Sequence, residues 1–403
     1  MDLADPIKSR NLSFVQPFGI NFTSYAGFFN VDEKENAKLF FWFFQFENDT
    51  SNTPLIIWLQ GQPGLSTLYG LFDEHGPLYM NMATYKVKKR QYSWTNKYHV
   101  MYLDPDIDCG FSYSDSNMST SSLEVIGLRL HYALRQFFVI FPEFKEKDVY
   151  LTGELDASRY ISMIALLNME IIDPVNHINI KGMMIGGGFT FDEGIAGYHY
   201  ILHMLRFISY QEKDELEKYT GIINIYIKAG KLNNALKLID STIVKKSKEI
   251  GFKTMFDSRY MDQLQYSIAP RLAQKKTFRD KIHVGNKYFK NSIRFFSIHS
   301  LRSVMNLLPK ILTRYKLLLY EGQFDLMSSH TEIFLTRLKW EGCDVLYYQP
   351  RRNWTVTNKF FGWWKGVSNL TYVTVKDAGH MVGITQPKNL YYLLDYFIND
   401  KFQ

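Results

Sequence analysis

Cysteine is nearly absent from this chain. Two thiols in 403 residues, Cys109 and Cys343, can build neither a multi-disulfide scaffold nor a cysteine metal site. A single bond between them stays open on sequence grounds, though two free buried thiols suit the composition better. Long apolar runs are missing too. No uncharged stretch reaches the roughly 18 residues a span requires, so no membrane crossing is expected. The N-terminus, Met1-Asp2-Leu3-Ala4-Asp5-Pro6, has no basic stretch followed by an apolar core, and no signal peptide is legible in it. No histidine pair stands at metal-ligand spacing with supporting acids, so neither a metal nor another cofactor is expected. Charge of one sign is only mildly in excess: 47 basic residues against 40 acidic leave +7. Lys88-Lys89-Arg90, Lys245-Lys246 and Lys275-Lys276 are short clusters without interleaved stacking aromatics. They read as solvated surface and argue against a nucleic-acid partner.

What the chain does have is apolar material and punctuation. Hydrophobic residues make up 46% and aromatics 16%, enough for a large packed core. The length allows two or three domains at roughly 150 residues each, or one large domain with an insertion. Strands are predicted over residues 22–31 and 38–46, then at Pro54–Leu59, a wholly apolar run of the kind buried on both faces of a sheet. Further strands follow at His99–Leu103, Val149–Thr152, Ile178–Ile185, Tyr315–Tyr320 and Leu370–Val375. Helices are predicted from about Ser122 to Pro142, over Ala157–Ile172, near Ser328–Trp340 and over Pro387–Phe397, where proline suits the first turn. Alternation of the two argues a mostly parallel central sheet flanked by helices. From residue 189 to 303 the pattern becomes polar, lysine-rich and helical, clearest at Glu212–Ile227 and Leu232–Lys248. This stretch is read as an inserted helical cap, with residues 1–188 and 304–403 forming the core. Six Asn-x-Ser/Thr sequons, at Asn11, Asn21, Asn48, Asn117, Asn353 and Asn369, are a mild excess for 23 asparagines and mark glycosylation candidates.

The segment Asp148–Tyr160 reads as a strand, a tight turn and a helix. In α/β-hydrolases that turn is the nucleophile elbow, and its strained tip carries serine. Here the tip is Leu155, with no proton to lose and no lone pair to attack with. Three further segments complete the order expected of that fold. A loop from Trp58 to Thr67, with Gln60, Gly61 and Gln62, follows a buried strand at the oxyanion position. Asp325 follows a strand end at the position of the acid. His380, in Asp377-Ala378-Gly379-His380-Met381, occupies that of the base.

With these residues in place the chain resembles the serine carboxypeptidases, most of all the vitellogenic carboxypeptidase-like branch. Supporting stretches include Trp58-Leu59-Gln60-Gly61, Glu74-His75-Gly76-Pro77, Ser93-Trp94-Thr95, Gly110-Phe111-Ser112 and Ile282-His283-Val284-Gly285-Asn286. They run from about Ser24 to the C-terminus. The resemblance implies an α/β-hydrolase fold and an ancestry of enzymes that remove single residues from peptide C-termini, in lysosomes, vacuoles or secretions. It also implies that Gln60, Gly61 and Glu154 hold the substrate's terminal carboxylate, the glutamate in its protonated form.

The departures are concentrated at one place. The family elbow has Gly-Glu-Ser-Tyr-Ala-Gly, so Leu155 replaces serine, Asp156 tyrosine and Ser158 glycine. Gln62 and Leu65 replace glycines of the family's oxyanion loop. Loss of the nucleophile costs on the order of a millionfold in other serine hydrolases. A carboxylate at Asp156 is expected to repel a developing oxyanion by roughly 4 kcal/mol at about 4 Å and an effective dielectric near 20, so Leu155→Ser alone is expected to restore little. Ser158 and Ser66 are poor substitutes for the nucleophile, and His75 and His283 read as framework.

The expectation is therefore a serine carboxypeptidase homologue without peptidase activity, retaining at most peptide or partner binding. A carboxypeptidase with a non-standard nucleophile and a non-catalytic storage or secretory protein are the alternatives. By resemblance it is secreted or lysosomal; without a legible leader, the cytoplasm is the alternative.

Overall fold

A computed structural model describes residues 3–20, 22–61, 63–81, 86–107, 109–115, 122–188, 197–260, 267–290, 296–328 and 331–402. Gln62, Asn21 and Asn117 lie outside the described residues, as does the start of the expected cap.

Among the described residues thirteen strands form in chain order: β1 (Phe14–Val15), β2 (Ser24–Asp32), β3 (Ala37–Phe44), β4 (Leu55–Leu59), β5 (Leu78–Asn81), β6 (Lys86–Lys89), β7 (His99–Leu103), β8 (Val149–Glu154), β9 (Ile180–Gly186), β10 (Lys316–Gly322), β11 (Arg352–Val356), β12 (Lys359–Val367) and β13 (Leu370–Val375). Strands β5 and β6 make a separate ribbon, and the other eleven form one sheet in the order β1-β2-β3-β7-β4-β8-β9-β10-β13-β12-β11. Its middle, β7 to β13, is parallel throughout, and antiparallel hairpins flank it on both sides. Every residue of β4 and β8 is buried, which is why β4 is continuously apolar rather than alternating.

Helices cover both faces. On one, Leu123–Ile140 and Ala157–Glu170 bury Leu130, Leu134, Phe137, Ile161 and Ile164 against Ile57, Leu59, Met101 and Leu151 of the sheet. Ser122 caps the first of these helices by accepting from the Val125 amide. The other face is shared by Pro387–Ile398 and the helical residues between β9 and β10, whose Leu202, Leu216, Ile223 and Ile239 join Trp42, Trp58 and Met184 in one apolar cluster. Those helices run over Tyr198–Met204, Tyr210–Lys228, Leu232–Ile239, Lys245–Glu249, Ala269–Ala273 and Lys276–Lys281. The expected continuous helix from Leu232 to Lys248 is interrupted by a wide turn at Asp240–Val244. Both cysteines are free thiols. Cys109 is buried, whereas Cys343 is only half-buried, contrary to the expectation of two buried thiols.

Sequence reasoning misses the β11–β12 hairpin. Its turn is Thr357-Asn358 at φ +47° and +61°, and a threonine in the left-handed region carries none of the usual Asn-Gly or Asp-Gly signal. Of the sequons, Asn11, Asn48 and Asn353 are exposed. Asn369 is half-buried and its amide nitrogen already donates to Leu312 O at 2.9 Å.

Candidate active site

The C-terminal ends of parallel strands gather the site, as strand order dictates in an open α/β sheet. Strand β8 ends at Glu154 and the chain turns sharply into the helix Ala157–Glu170. Leu155, at the tip, has φ +49°. A side chain with a Cβ pays roughly 1 kcal/mol or more for that backbone region, so the strained elbow persists although its serine is gone. The Leu155 amide donates to Gly186 O at 3.0 Å, and the Ser158 amide back to Leu155 O at 3.0 Å, which fixes the turn. The Leu155 side chain is 4% exposed and belongs to the apolar cluster that also holds Phe256 and Met381.

Gly61 packs against this elbow. A Cβ there would stand 1.7 Å from Glu154 O, 2.3 Å from the Ala157 amide and 2.7 Å from the Asp156 amide. No other residue fits. The approach brings the loop after β4 to the amide face of the elbow, where a hydrolase binds its oxyanion, and the Asp156 N–H has no acceptor among the described residues.

The Asp156 carboxylate does not face that position, and the expected repulsion is corrected by its partners. Oδ1 accepts from Arg159 Nη1 at 3.2 Å and Oδ2 from Ser300 Oγ at 2.5 Å. Arg159 is wholly buried and also donates to Ser300 O and Arg302 O. A neutralised ion pair with its hydrogen bonds satisfied projects little field compared with a bare carboxylate. The elbow is thus tied to the loop that carries the chain back towards β10.

Base and acid are paired. His380 Nδ1 lies 2.7 Å from Asp325 Oδ2. Asp325 is held in turn by the amides of Met327 (2.7 Å) and Ser328 (3.3 Å) and by the Ser328 hydroxyl. The imidazole stacks on Phe256 at 5.1 Å, and its Nε2 is buried without a hydrogen-bond partner. Gly187, at φ +51°, makes room for the pair: a Cβ would lie 2.3 Å from His380 Cε1 and 3.2 Å from Asp325 Oδ2. The acid holds the ring at Nδ1 and leaves Nε2 as the nitrogen that could meet a proton donor.

Beside the elbow lies a buried carboxyl group that sequence reasoning missed as a site residue. Gln60 accepts from Trp58 Nε1 at 2.9 Å through Oε1 and donates through Nε2 to Glu154 Oε1, while Glu154 Oε2 has no partner among the described residues. Glu74 is the neighbour. Both its oxygens are buried without a hydrogen bond of ordinary geometry. Burial, and then the negative charge of Asp73, push its carboxyl up to about 8. Burial, with Glu74 adding to it, holds Glu154 well above the usual carboxylate range. Two carboxyls this close cannot both ionise cheaply. In neutral form each carries an O–H donor. Glu74 sits in one of the stretches that carry the family resemblance, but its partner is 80 positions away, beyond reach of a local pattern.

The remaining candidates are structural. Ser66 Oγ donates to Asp104 Oδ1 at 2.8 Å, and Ser158 is buried in the first helical turn against Gly188. His75 is stacked 3.7 Å from Trp94, with Nδ1 3.2 Å from the Tyr102 hydroxyl. Burial drives its pKa well below the usual histidine value. His283 is exposed, with Nε2 3.1 Å from Phe14 O. Among the described residues no group of histidine, cysteine or acids could hold a metal ion.

Residues 14–400 match the serine carboxypeptidase family model. The chain belongs to the serine carboxypeptidase family. It is 32% identical to the venom serine carboxypeptidase of Apis mellifera, over 98% of this chain and 88% of the relative. It is 30% identical to the probable serine carboxypeptidase CPVL of Homo sapiens, over 98% and 87%, and 29% identical to the vitellogenic carboxypeptidase of Aedes aegypti, over 98% and 88%. The crystal structure of a prohormone-processing carboxypeptidase, Kex1 of Saccharomyces cerevisiae, superposes with a TM-score of 0.80 at 21% identity, covering 97% of this chain and 96% of that one. The fold is therefore that of an α/β-hydrolase.

Proposed function

We propose that this serine carboxypeptidase homologue no longer hydrolyses peptides and that its cleft binds a free peptide C-terminus. One observation carries the first half: the left-handed tip of the elbow, where the nucleophile has to stand, holds a buried leucine. Ser66 and Ser158 are committed elsewhere. The second half is supported by Glu154 Oε2, which has no partner among the described residues, and by Glu74, whose carboxyl meets only the Gly383 amide, beside the oriented Gln60 amide. Unsatisfied buried polar atoms of this kind are costly unless something fills them. Three exposed sequons, and a relative named for venom, support a secreted or lysosomal setting.

Purified protein should not react with a fluorophosphonate probe, nor release C-terminal residues from blocked dipeptides at acidic pH. Stoichiometric labelling mapped to a serine in the cleft would instead establish the rival, an active enzyme with an unusual nucleophile.

Binding should discriminate the terminus. A peptide with a free carboxylate is expected to bind more tightly than its amide by about 1.5–3 kcal/mol, the value of a hydrogen bond to a charged group. The preference should weaken as pH rises towards 8, because ionising Glu74 or Glu154 sets like charge against the ligand. Glu154→Gln should bind equally well and with a flatter pH dependence, since an amide donates without titrating. Calorimetry giving equal affinities for acid and amide at every pH would leave the cluster as scaffold.

A further inference from the structure

The net charge is not spread evenly over the chain. Residues 189–303 contain 20 basic and 11 acidic residues, while the rest of the chain is slightly acidic. Within that segment, residues 269–290 hold seven basic residues and one acidic residue.

This basic stretch is anchored to the site. The Ser267 hydroxyl and the Ile268 amide donate to Asp73, at 2.5 and 3.0 Å, immediately before Glu74. Phe278 packs 5.9 Å from Phe72. Upstream, Phe256 stacks on His380 and accepts its backbone amide, and the Ser258 amide donates to Phe324 O at 2.9 Å. The chain from Phe256 to Phe278 thus touches the base at one end and the carboxyl cluster at the other.

On the two helices beyond Asp73, Ala269–Ala273 and Lys276–Lys281, and the link between them, the side chains of Arg271, Lys275, Lys276 and Lys281 are exposed. Asp280 pairs with Lys276 at 2.7 Å. Among the described residues Arg271, Lys275 and Lys281 have no carboxylate partner. Arg279 is folded back onto Ala273 O, Gln274 O and Gly285 O and is occupied. Cations left uncompensated on one short stretch repel one another and favour an anionic partner.

We infer that this basic face binds an acidic stretch of the same polypeptide whose C-terminus the cleft holds, an inference that rests on the binding function proposed above. Thirteen residues separate Ile268, at the Asp73 carboxylate, from Lys281, on two short helices broken at Gln274-Lys275, a path of at most about 25 Å. An extended ligand covers about 20 Å in six residues. Acidic residues within about three to eight positions of the ligand's C-terminus are then in reach of the face. A nucleic acid is the less fitting partner, since the three unpaired cations stand beside a site built for a carboxylate.

The test uses the full-length protein and fluorescent decapeptides sharing their last three residues, with acidic, neutral or basic residues upstream, and the acidic peptide also as its C-terminal amide. The acidic peptide should bind at least about tenfold more tightly than the neutral one at about 20 mM salt, and the margin should shrink at about 300 mM. Arg271→Glu/Lys275→Glu should abolish that margin. Lys237→Glu/Lys248→Glu, the same change in net charge on other exposed cap residues, should preserve it, with melting temperatures checking that both variants fold. Equal affinity for acidic and neutral peptides, with the acid still preferred over the amide, would overturn this inference and leave the proposed binding function standing. Equal affinity for acid and amide would overturn both. Tighter binding of a single-stranded RNA through the same residues would overturn the choice of partner.

Discussion

Leu155→Ser is expected to label with a fluorophosphonate and to release C-terminal residues from blocked dipeptides, and the unaltered protein is expected to do neither. The reason lies in what surrounds the missing hydroxyl. Backbone strain at the tip is already present at φ +49°, so a serine inherits the turned backbone that an elbow requires. His380 is paired with Asp325 and offers an unpartnered Nε2 as base. The charge of Asp156 is neutralised by Arg159 and the Ser300 hydroxyl, and its amide remains free to donate. Judged from sequence alone, Asp156 opposes the oxyanion and the single reversion achieves little. With the carboxylate paired and turned away, that objection falls.

The recovery should still be partial. Gln62 stands where the family has glycine, and a misplaced oxyanion donor costs about a hundred- to a thousandfold. Set against the roughly millionfold cost of a lost nucleophile, the single variant should exceed background by on the order of 10³- to 10⁴-fold. Adding Gln62→Gly should raise it further, whereas adding Asp156→Tyr should not, because it strands the buried Arg159 charge. Removing one partner of such a pair costs about 3–5 kcal/mol. Loss of the buried leucine should itself lower stability by about 2–4 kcal/mol, so thermal melts must accompany the assay. A folded Leu155→Ser protein that stays inert to the probe would show that the remaining machinery is displaced as well.

How much of this was legible beforehand depended on the range of each interaction. The core strands were readable because burial on both faces writes itself as uninterrupted apolar runs, as in Leu55–Leu59 and His99–Leu103. The elbow, the acid and the base were readable because each follows a strand end and their chain order is fixed by the fold. Side-chain direction was not. Asp156 meets Arg159 three positions on but Ser300 lies 144 positions away, and no periodicity announces that contact. Glu74 and Glu154 become one electrostatic unit only when the helical turn Gly70–Glu74 comes to the end of β8. The lysine pairs between residues 189 and 303 read as solvated surface in sequence, and only the fold brings Ser267 and Ile268, just ahead of Lys275-Lys276, to Asp73.

The buried acids also determine how stability should vary with pH. Glu74 and Glu321 are both pushed up to about 8 by burial, and Glu154 is raised in the same direction. A carboxyl whose folded pKa exceeds its unfolded value binds more protons in the native state, so its stabilisation is complete below the unfolded pKa and is lost as pH climbs to the folded one. Buried histidines act oppositely. His75, His131 and His299 are held neutral by burial, the last two at about 4, so each gains stability as pH rises from there to the ordinary histidine value. Between about pH 4.5 and 6.5 the two sets oppose each other and the curve should be shallow. Above that the histidines contribute no further change while the glutamates still titrate, and stability should fall by on the order of 3 kcal/mol from pH 6.5 to 8. Glu321→Gln should flatten part of that fall, since the amide oxygen can still accept from Tyr372 as the carboxylate does. Urea unfolding across this range gives the measurement. A free energy that stays level or rises from pH 6.5 to 8 would mean these carboxyls are ionised in the native fold, with water or counter-charges reaching them.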